Sequence, residues 1–360
     1  MTRLGDVCAI RYGKDHKKLS DGSIPAYGSG GIIRYVDTAI CEQPSVLIPR
    51  KGTLGNLFYT DEPFWTVDTL FWTDIDQTKI VPKYLYYQLK QKDLASYNVG
   101  TAVPSLTVEV LNEIDLDVPS IDKQRRIVEV LNSFDSKIAL NNQLNDYLEQ
   151  LVDGKFQELF GGLNFNATLS DVAEITMGQS PAGSSYNEEG AGIIFYQGRG
   201  EFGWRFPKRR LYTTEPKRLA CEGDVLMSVR APVGDLNVAF ENCCIGRGLA
   251  AIHSETPSFA LYLMRFLKPQ LEAYNGEGTV FGSINGKALK SLEVALPSHN
   301  EVMQFESFAA PIDALIRSNE NETRKLNNLR NYLLPKLMSG EIDVSKVDLM
   351  QLTNNHLAGC

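Results

Sequence analysis

Basic side chains interleaved with aromatic ones form the most distinctive chemical pattern in this sequence of 360 residues. The densest run lies between Arg199 and Arg218 and contains seven basic residues but only two acidic ones, Glu201 and Glu215. Aromatic residues such as Trp204 lie between the basic ones. Lysine and arginine neutralise phosphates, and arginine also reads base edges in the major groove of DNA. The pattern therefore predicts contact with nucleic acid, against the alternative of a solvated charged loop.

Two groups of residues, one in each half of the chain, are the candidates for contact with double-stranded DNA. In the first half they are Lys14, His16, Lys17, Lys18, Arg34, Arg50 and Lys51. In the second half they are Arg199, Arg205, Lys208, Arg209, Arg210, Lys217, Arg218 and Arg230. The formal net charge of −8 argues mildly against such a partner. Net charge is an average, however, and phosphate contact needs only local basic patches.

Patterns that would indicate a catalytic site are incomplete in this sequence. The stretch Gly282–Lys287 approaches a phosphate-binding loop but is one residue short, and Ala288 stands where Ser or Thr would hold magnesium. The run Glu215-Pro216-Lys217 has the spacing of a metal-dependent nuclease motif without a supporting aspartate motif nearby. An adenine methyltransferase would need a Pro-Pro pair, which the chain lacks. We therefore predict a binding protein that has no catalytic residues.

The cysteines and histidines predict neither a metal site nor a nucleophile. The six cysteines include no C-x-x-C pair, and the four histidines are scattered along the chain. Free and mostly buried thiols in a reducing compartment are the expectation. The sequence has no run of about 18 apolar residues that would span a bilayer, and its charged N-terminus does not resemble a signal peptide. We expect a cytoplasmic protein without a membrane partner.

An internal repeat organises these residues. Leu4–Gly13 matches Leu169–Gly178 at a constant shift of 165 residues. The match resumes at a shift of 179 around Val46 and settles at 178 from Tyr84 onwards. A shift that is held over more than seventy residues is hard to obtain by chance, so the chain is a tandem duplication.

Each repeat has a β-rich part followed by a long helix. Strands and turns are predicted from β-branched and aromatic residues punctuated by glycine, with one helix that begins at Pro82 and a counterpart in the second repeat. The first long helix is predicted from about Ser120 to Phe160, ending at Gly161-Gly162. In the second, we expect a late start or kink at Pro311 and a kink or end at Pro335.

Apolar residues recur along both long helices in steps of mostly three and four, as a coiled-coil seam requires. A helix of about forty residues extends roughly 60 Å and needs a partner helix, and the other copy supplies one. The pseudo-two-fold relation of a duplication predicts antiparallel pairing. In the first helix the apolar positions also include Leu144, Leu151 and Leu159. The predicted seam residues are Ile127, Leu131, Phe134, Ile138, Leu148, Ile312, Ile316, Leu326 and Leu333.

The motifs around these helices resemble those of the specificity subunits of type I restriction-modification systems. The resemblance rests on Val118-Pro119 with Gln124, Ile127 and Asp135, and on the tail Leu333–Glu341. In the second copy the same pattern is carried by Leu296-Pro297, Gln304, Phe305 and Asp313, with departures at Val302 and Pro311.

The resemblance implies an α+β fold. Two β-rich target-recognition domains, at 1–119 and 163–297, are expected to be separated by two long antiparallel coiled-coil helices, at 120–162 and 298–345, with a tail at 346–360. It implies a non-catalytic subunit that reads a bipartite DNA site and recruits methyltransferase subunits, expected to be two, and through them restriction subunits. S-adenosylmethionine, ATP and magnesium would be bound by those partners, so that this chain holds no cofactor. The alternatives are the specificity subunit of a methyltransferase-nuclease fusion system, or a coiled-coil adaptor that does not read DNA.

Overall fold

The computed structural model describes residues 2–100, 102–276 and 282–347. They form two compact units. One unit takes the described residues up to Leu140 and from Glu322 onwards, and the other takes Asn141–Asn321. Each unit therefore contains one β-rich region and part of each long helix. The sequence had predicted the long helices as segments of their own, whereas the structure shares each helix between the two units.

The described helices are α1 (Leu4–Val7), α2 (Pro82–Lys90), α3 (Val108–Asn112), α4 (Ile121–Phe160), α5 (Leu169–Val172), α6 (Pro257–Phe266), α7 (Lys268–Glu272), α8 (Gly286–Lys290) and α9 (His299–Ser339). Short 3₁₀ turns lie at Leu94–Tyr97, Gly183–Ser185, Arg199–Glu201, Ala273–Asn275 and Val344–Lys346. None of the described helices is long and apolar enough to cross a membrane.

The first unit is built on a four-stranded antiparallel sheet in the order β2-β8-β5-β6. A three-stranded sheet, β4-β3-β7, and the short pair β1-β9 complete it. Its strands are β1 (Thr2–Arg3), β2 (Cys8–Tyr12), β3 (Asp21–Gly28), β4 (Gly31–Val36), β5 (Ser45–Pro49), β6 (Phe58–Thr60), β7 (Trp65–Thr66), β8 (Leu70–Ile75) and β9 (Asp115–Leu116).

The second unit repeats this plan with a four-stranded sheet, β11-β19-β16-β17, a five-stranded sheet, β12-β14-β13-β18-β15, and the pair β10-β20. The two four-stranded sheets have the same order of equivalent strands, which confirms the repeat, whereas the other sheet has three strands in the first unit and five in the second. Its strands are β10 (Ala167–Thr168), β11 (Glu174–Met177), β12 (Tyr186–Asn187), β13 (Ile193–Tyr196), β14 (Leu211–Thr213), β15 (Leu219–Ala220), β16 (Val225–Ser228), β17 (Leu236–Val238), β18 (Cys243–Ile245), β19 (Leu249–His253) and β20 (Glu293–Val294).

The two long helices run antiparallel within each unit. In the first unit Arg330 of α9 pairs with Asp135 of α4 at 2.7 Å, and Lys137, further along α4, pairs with the earlier residue Glu322 at 3.2 Å. In the second unit Asn319 donates to Asn145 at 2.8 Å, and the ring of Phe156, further along α4, lies 5.3 Å from that of the earlier residue Phe305. The sequence number falls along one helix as it rises along the other, as the duplication predicts.

The late start expected at Pro311 was wrong, because α9 begins at His299 and continues through Pro311 and Pro335 to Ser339. Each proline removes one N–H donor and frees the carbonyl four residues earlier. The residues that carry those carbonyls, Ser307 and Asn331, are exposed, so water can satisfy them. The helix ends instead before Gly340, whose φ of +79° is readily adopted only by glycine.

All nine predicted seam residues are buried or half-buried, but the other three leucines counted in the apolar pattern of the first long helix are not. Of the nine seam residues, Leu148 is half-buried, and those that lie fully or partly in the apolar interior are Ile127, Leu131, Phe134, Ile138, Ile312, Ile316, Leu326 and Leu333. By contrast Leu144, Leu151 and Leu159 are exposed. In that half of α4 the buried positions are Asn141, Asn145, Val152, Phe156 and Phe160. A search for apolar periodicity misses this face, because two of its positions are asparagines.

Candidate nucleic-acid interface

Four loops of the second unit converge on a groove of about 390 Å³ that is lined by three arginines. Arg230 follows strand β16, Arg247 follows β18, and Arg199 opens a 3₁₀ turn after β13. Ser180 and Gln197 add hydroxyl and amide groups to the lining. The groove thus combines guanidinium groups with polar donors and acceptors, the side-chain types that contact DNA phosphates and base edges.

Glycines allow the loops around Arg247 to approach closely. A Cβ atom on Gly246 or Gly248 would lie 2.8 or 2.9 Å from the carbonyl oxygen of Gln197. Gly246 N donates to Tyr196 O at 2.8 Å, and Val229 N donates to Gly248 O at 3.0 Å. Because both neighbours of Arg247 are packed and hydrogen-bonded, its side chain projects from a defined turn.

The arginines of the groove differ in how far they are neutralised. Arg199 Nε pairs with Asp235 Oδ2 at 2.5 Å. Arg230 and Arg247 are exposed and form no ion pair with any described residue. These two positive charges are therefore available to an anionic ligand without breaking an internal contact.

The first unit carries a basic residue at the position that corresponds to Arg230. Lys51 follows β5 and forms an isolated β-bridge with Ser105, and Arg230 follows β16 and bridges Ser283 in the same way. The flanking hydrogen bond is repeated as well, since Leu106 N donates to Arg50 O and Ile284 N donates to Val229 O, both at 3.0 Å. The duplicated fold thus presents an equivalent cation in each unit.

The other candidates of the first unit lie in the loop between β2 and β3, on strand β4 and next to Lys51. Lys14, Lys17 and Lys18 are exposed and form no ion pair with the described residues, whereas His16 is half-buried. Arg50 donates to the Asp68 carbonyl at 3.1 Å and lies 5.4 Å from the Tyr12 ring centroid. Arg34 is tied to Asp21 at 2.7 Å. Lys14, Lys17, Lys18 and Lys51 therefore carry most of the positive charge of the first unit that is available to DNA.

The basic run of the second unit divides into paired and unpaired cations. Arg209 pairs with Glu241 at 2.6 Å, and Arg210 pairs with Glu201 at 2.7 Å. Lys208, Lys217 and Arg218 are exposed and without an ion pair among the described residues. Arg209 and Arg210 must give up a carboxylate partner to bind a phosphate, so each would contribute less to DNA affinity than an unpaired cation does.

Arg205 was wrongly predicted to contact DNA, because its side chain is buried, with 4% exposed. It donates to Glu149 of α4 at 3.1 Å, to Asp313 of α9 at 2.9 Å and to the Tyr262 hydroxyl of α6 at 3.1 Å. Burial alone would lower the pKa of Arg205, but Tyr262 and the two carboxylates raise it above its ordinary value. The guanidinium is a permanent cation that holds the β-rich region against both long helices.

The central aspartate of each long helix has the same structural role. In the first unit Asp135 accepts a hydrogen bond from Tyr87 of α2 at 2.5 Å and from Arg330 at 2.7 Å. In the second unit Asp313 accepts from Tyr262 at 3.0 Å and from Arg205. Burial raises the pKa of both tyrosines, so their hydroxyls stay protonated and donate. Each aspartate thus fixes the packing of a shorter helix against the long helices, α2 in the first unit and α6 in the second.

Sequence reasoning missed Arg247, although the run Gly246-Arg247-Gly248 carried a signal. An arginine between two glycines stands on a tight turn and is free of neighbouring side chains. Its repeat equivalent at the shift of 179 is Asp68, so a search for basic residues that recur in both copies would not have found it. The groove around Arg247 is therefore specific to the second unit.

Comparisons with known proteins agree with this architecture. A family model described as "Type I restriction modification DNA specificity domain" matches residues 1–150 and 166–331. The putative type I restriction enzyme MjaX specificity subunit of Methanocaldococcus jannaschii is 34% identical over 298 residues, which cover 75% of this chain and 70% of that protein. The MjaIX specificity subunit of the same organism is 23% identical and covers 88% of this chain and 81% of its own length.

A solved structure shares the fold at low sequence identity. The S subunit of a type I restriction-modification system from M. genitalium aligns with a TM-score of 0.63 and 16% identity, over 93% of this chain and 95% of that one. The two stretches that the family model matches contain both β-rich regions. The comparisons therefore confirm the predicted α+β fold with an internal repeat.

Proposed function

This chain belongs to the family of type I restriction-modification specificity subunits, and from that membership we propose that each of its units reads one half of a bipartite DNA site. Members of this family are the non-catalytic DNA-recognition subunits of the complex. The coiled-coil adaptor alternative is set aside, because the matched DNA specificity domain spans both β-rich regions.

One observation carries the proposal of two half-sites. Lys51 and Arg230 lie at equivalent positions after equivalent strands, each fixed by the same β-bridge. The other exposed cations of the two units differ, with Lys14, Lys17 and Lys18 in the loop between β2 and β3 of one unit and Arg247 after β18 of the other. An equivalent cation in each unit, accompanied by different basic side chains, suits two domains that dock alike and read different bases.

We propose the partners from the same symmetry. The duplication gives the long helices two equivalent outer surfaces, which suits two methyltransferase subunits, and restriction subunits would join through them. S-adenosylmethionine, ATP and magnesium are assigned to those partners and none of them to this chain. Since the proposed partners act on the DNA of the cell, we propose the cytoplasm as the compartment.

The Arg230→Ala, Arg247→Ala double variant is expected to weaken DNA binding and to flatten its dependence on salt. Each phosphate contact contributes a slope of about 0.9 in log K against log salt, so that the loss of two contacts lowers the slope by roughly two units. Fluorescence anisotropy with the complex and its cognate duplex, at several salt concentrations, measures this slope.

The matched control is Lys155→Ala with Lys325→Ala, which removes the same charge from the long helices. A slope that falls equally in the control and in the arginine variant would show a general charge effect. An unchanged slope in the arginine variant would remove the groove from the DNA surface.

The Lys51→Ala variant tests whether the two units read separate half-sites. We expect affinity to fall for every sequence, while the bases selected by the second unit stay the same, because Lys51 lies in the first unit. Methylome sequencing of a host that carries the variant complex gives the selected bases at both half-sites. Relaxation of both half-sites together would contradict the assignment of one half-site to each unit.

A further inference from the structure

Three side chains of metal-ligand type meet at one edge of the second unit. A carboxylate oxygen of Asp224, a ring nitrogen of His253 and the sulfur of Cys221 all lie within 4.8 Å of one another. Cys221 follows β15 of the five-stranded sheet, whereas Asp224 precedes β16 and His253 ends β19, which are neighbours in the four-stranded sheet. The cluster therefore joins the two sheets of this unit.

A tight turn brings Cys221 and Asp224 to the same side. Cys221 N donates to Asp224 Oδ2 at 2.7 Å, and Asp224 N donates to Cys221 O at 3.1 Å. Gly223 within the turn has a φ of +89°, a conformation that other residues rarely adopt. The Cys-x-x-Asp pair is thus fixed by the backbone before any ligand binds.

The Asp224 carboxylate is nearly buried, with 6% of its side chain exposed, and it has no lysine or arginine partner among the described residues. Its side-chain partner is His253, whose Nδ1 lies 2.6 Å from Oδ1. Glu174 and Glu255 add negative potential at His253. A buried carboxylate in an acidic surrounding is stabilised by a cation.

We propose that Cys221, Asp224 and His253 bind a divalent transition-metal ion, with zinc as the best match. Thiolate, imidazole and carboxylate are the three side-chain ligand types of zinc, and a water molecule would complete the tetrahedron. The ion replaces the proton shared by His253 and Asp224 and releases the thiol proton of Cys221, so binding is favoured as pH rises.

The geometry needs only a small adjustment to accept the ion. Two ligands at about 2.0 Å in a tetrahedron lie roughly 3.3 Å apart, so the ring nitrogen of His253 must move about 0.7 Å away from its hydrogen-bonded position at 2.6 Å from Asp224. The His253 side chain is 53% exposed and has room to do so. Once bound, the ion links the end of β15 to β19 and stabilises the contact between the two sheets.

The first unit provides an internal comparison. At the repeat shift of 179, the positions of Cys221, Asp224 and His253 are occupied by Glu42, Ser45 and Asp74. The ligand set is therefore confined to the second unit and is not a requirement of the shared fold.

The test uses the full-length chain in a Cys360→Ser background, which removes the one cysteine outside the described residues. Titration with cobalt(II) is expected to give one equivalent per chain and a thiolate-to-cobalt charge-transfer band in the near ultraviolet. Cys221→Ser abolishes this band. His253→Ala lowers affinity by at least about 100-fold, since loss of even an outer partner of a metal ligand costs 10–100-fold.

Cys41→Ser is the matched control, since Cys41 is a free, partly exposed thiol of the first unit. Zinc should protect Cys221, but not Cys41, from alkylation by N-ethylmaleimide, as mass spectrometry of the peptides can show. A cobalt band that persists in Cys221→Ser, or equal alkylation of Cys221 with and without zinc, would overturn the proposal. Because no DNA is present, either outcome leaves the proposed function untouched.

Discussion

Lengthening both long helices by one turn should lengthen the gap between the two DNA half-sites by about two base pairs. Four residues of α-helix add roughly 6 Å, and B-DNA rises about 3.4 Å per base pair. The insertion belongs at the residues where each helix passes from one unit to the other, by duplicating Asn141–Leu144 of α4 together with Asn319–Glu322 of α9. Each unit then keeps its own residues and contacts.

Methylome sequencing of a host that carries the variant complex measures the result. We expect both half-sequences to persist with a longer spacer, because the inserted turn leaves the recognition residues unchanged. Robust methylation at the original spacing would mean that contacts outside the helices set the gap.

The control for this experiment is a duplication of Leu148–Leu151 in α4 alone. That insertion lies inside the second unit and shifts Asn141 and Asn145 by a full turn relative to the rest of α4 in that unit, which breaks their contacts with Asn319 of α9. We expect this variant to lose folded protein and methylation together, in contrast to the paired insertion.

Arg205→Ala should lower the free energy of unfolding of the second unit by about 3–5 kcal/mol, the typical result of removing one partner from a buried ion pair. The substitution leaves Asp313 and Glu149 without the cation that neutralises them, and only the latter keeps a second arginine, Arg265, at 2.9 Å. Urea unfolding followed by intrinsic fluorescence measures the loss.

Arg209→Ala is the matched control, because Arg209 is an exposed arginine with a single carboxylate partner, Glu241. Exposed pairs contribute about 0–1 kcal/mol, so this variant should unfold almost as the parent does. Equal effects of the two substitutions would remove Arg205 from its structural role and reopen its assignment to the DNA surface.

The order of residues along the chain by itself determined the duplication, the long helix Ile121–Phe160 and the supply of basic side chains. These features are local or repeat at a fixed shift, so they can be recognised from the sequence without coordinates. The resemblance in the helix motifs also identified the family. Its two aspartates, Asp135 and Asp313, could be named from sequence but not explained.

Only the tertiary structure decided what each charge does. Arg205 and Arg230 are alike in sequence, but one is buried between α4, α6 and α9 while the other lines an open groove. Asn141 occupies a buried position of α4 where a coiled-coil seam would carry an apolar residue such as leucine. These outcomes depend on partners 50 to 180 positions away along the chain, such as Asp313 for Arg205 and Asn319 for Asn141. A pattern of neighbouring residues cannot encode such pairings, because burial is a property of the packed elements.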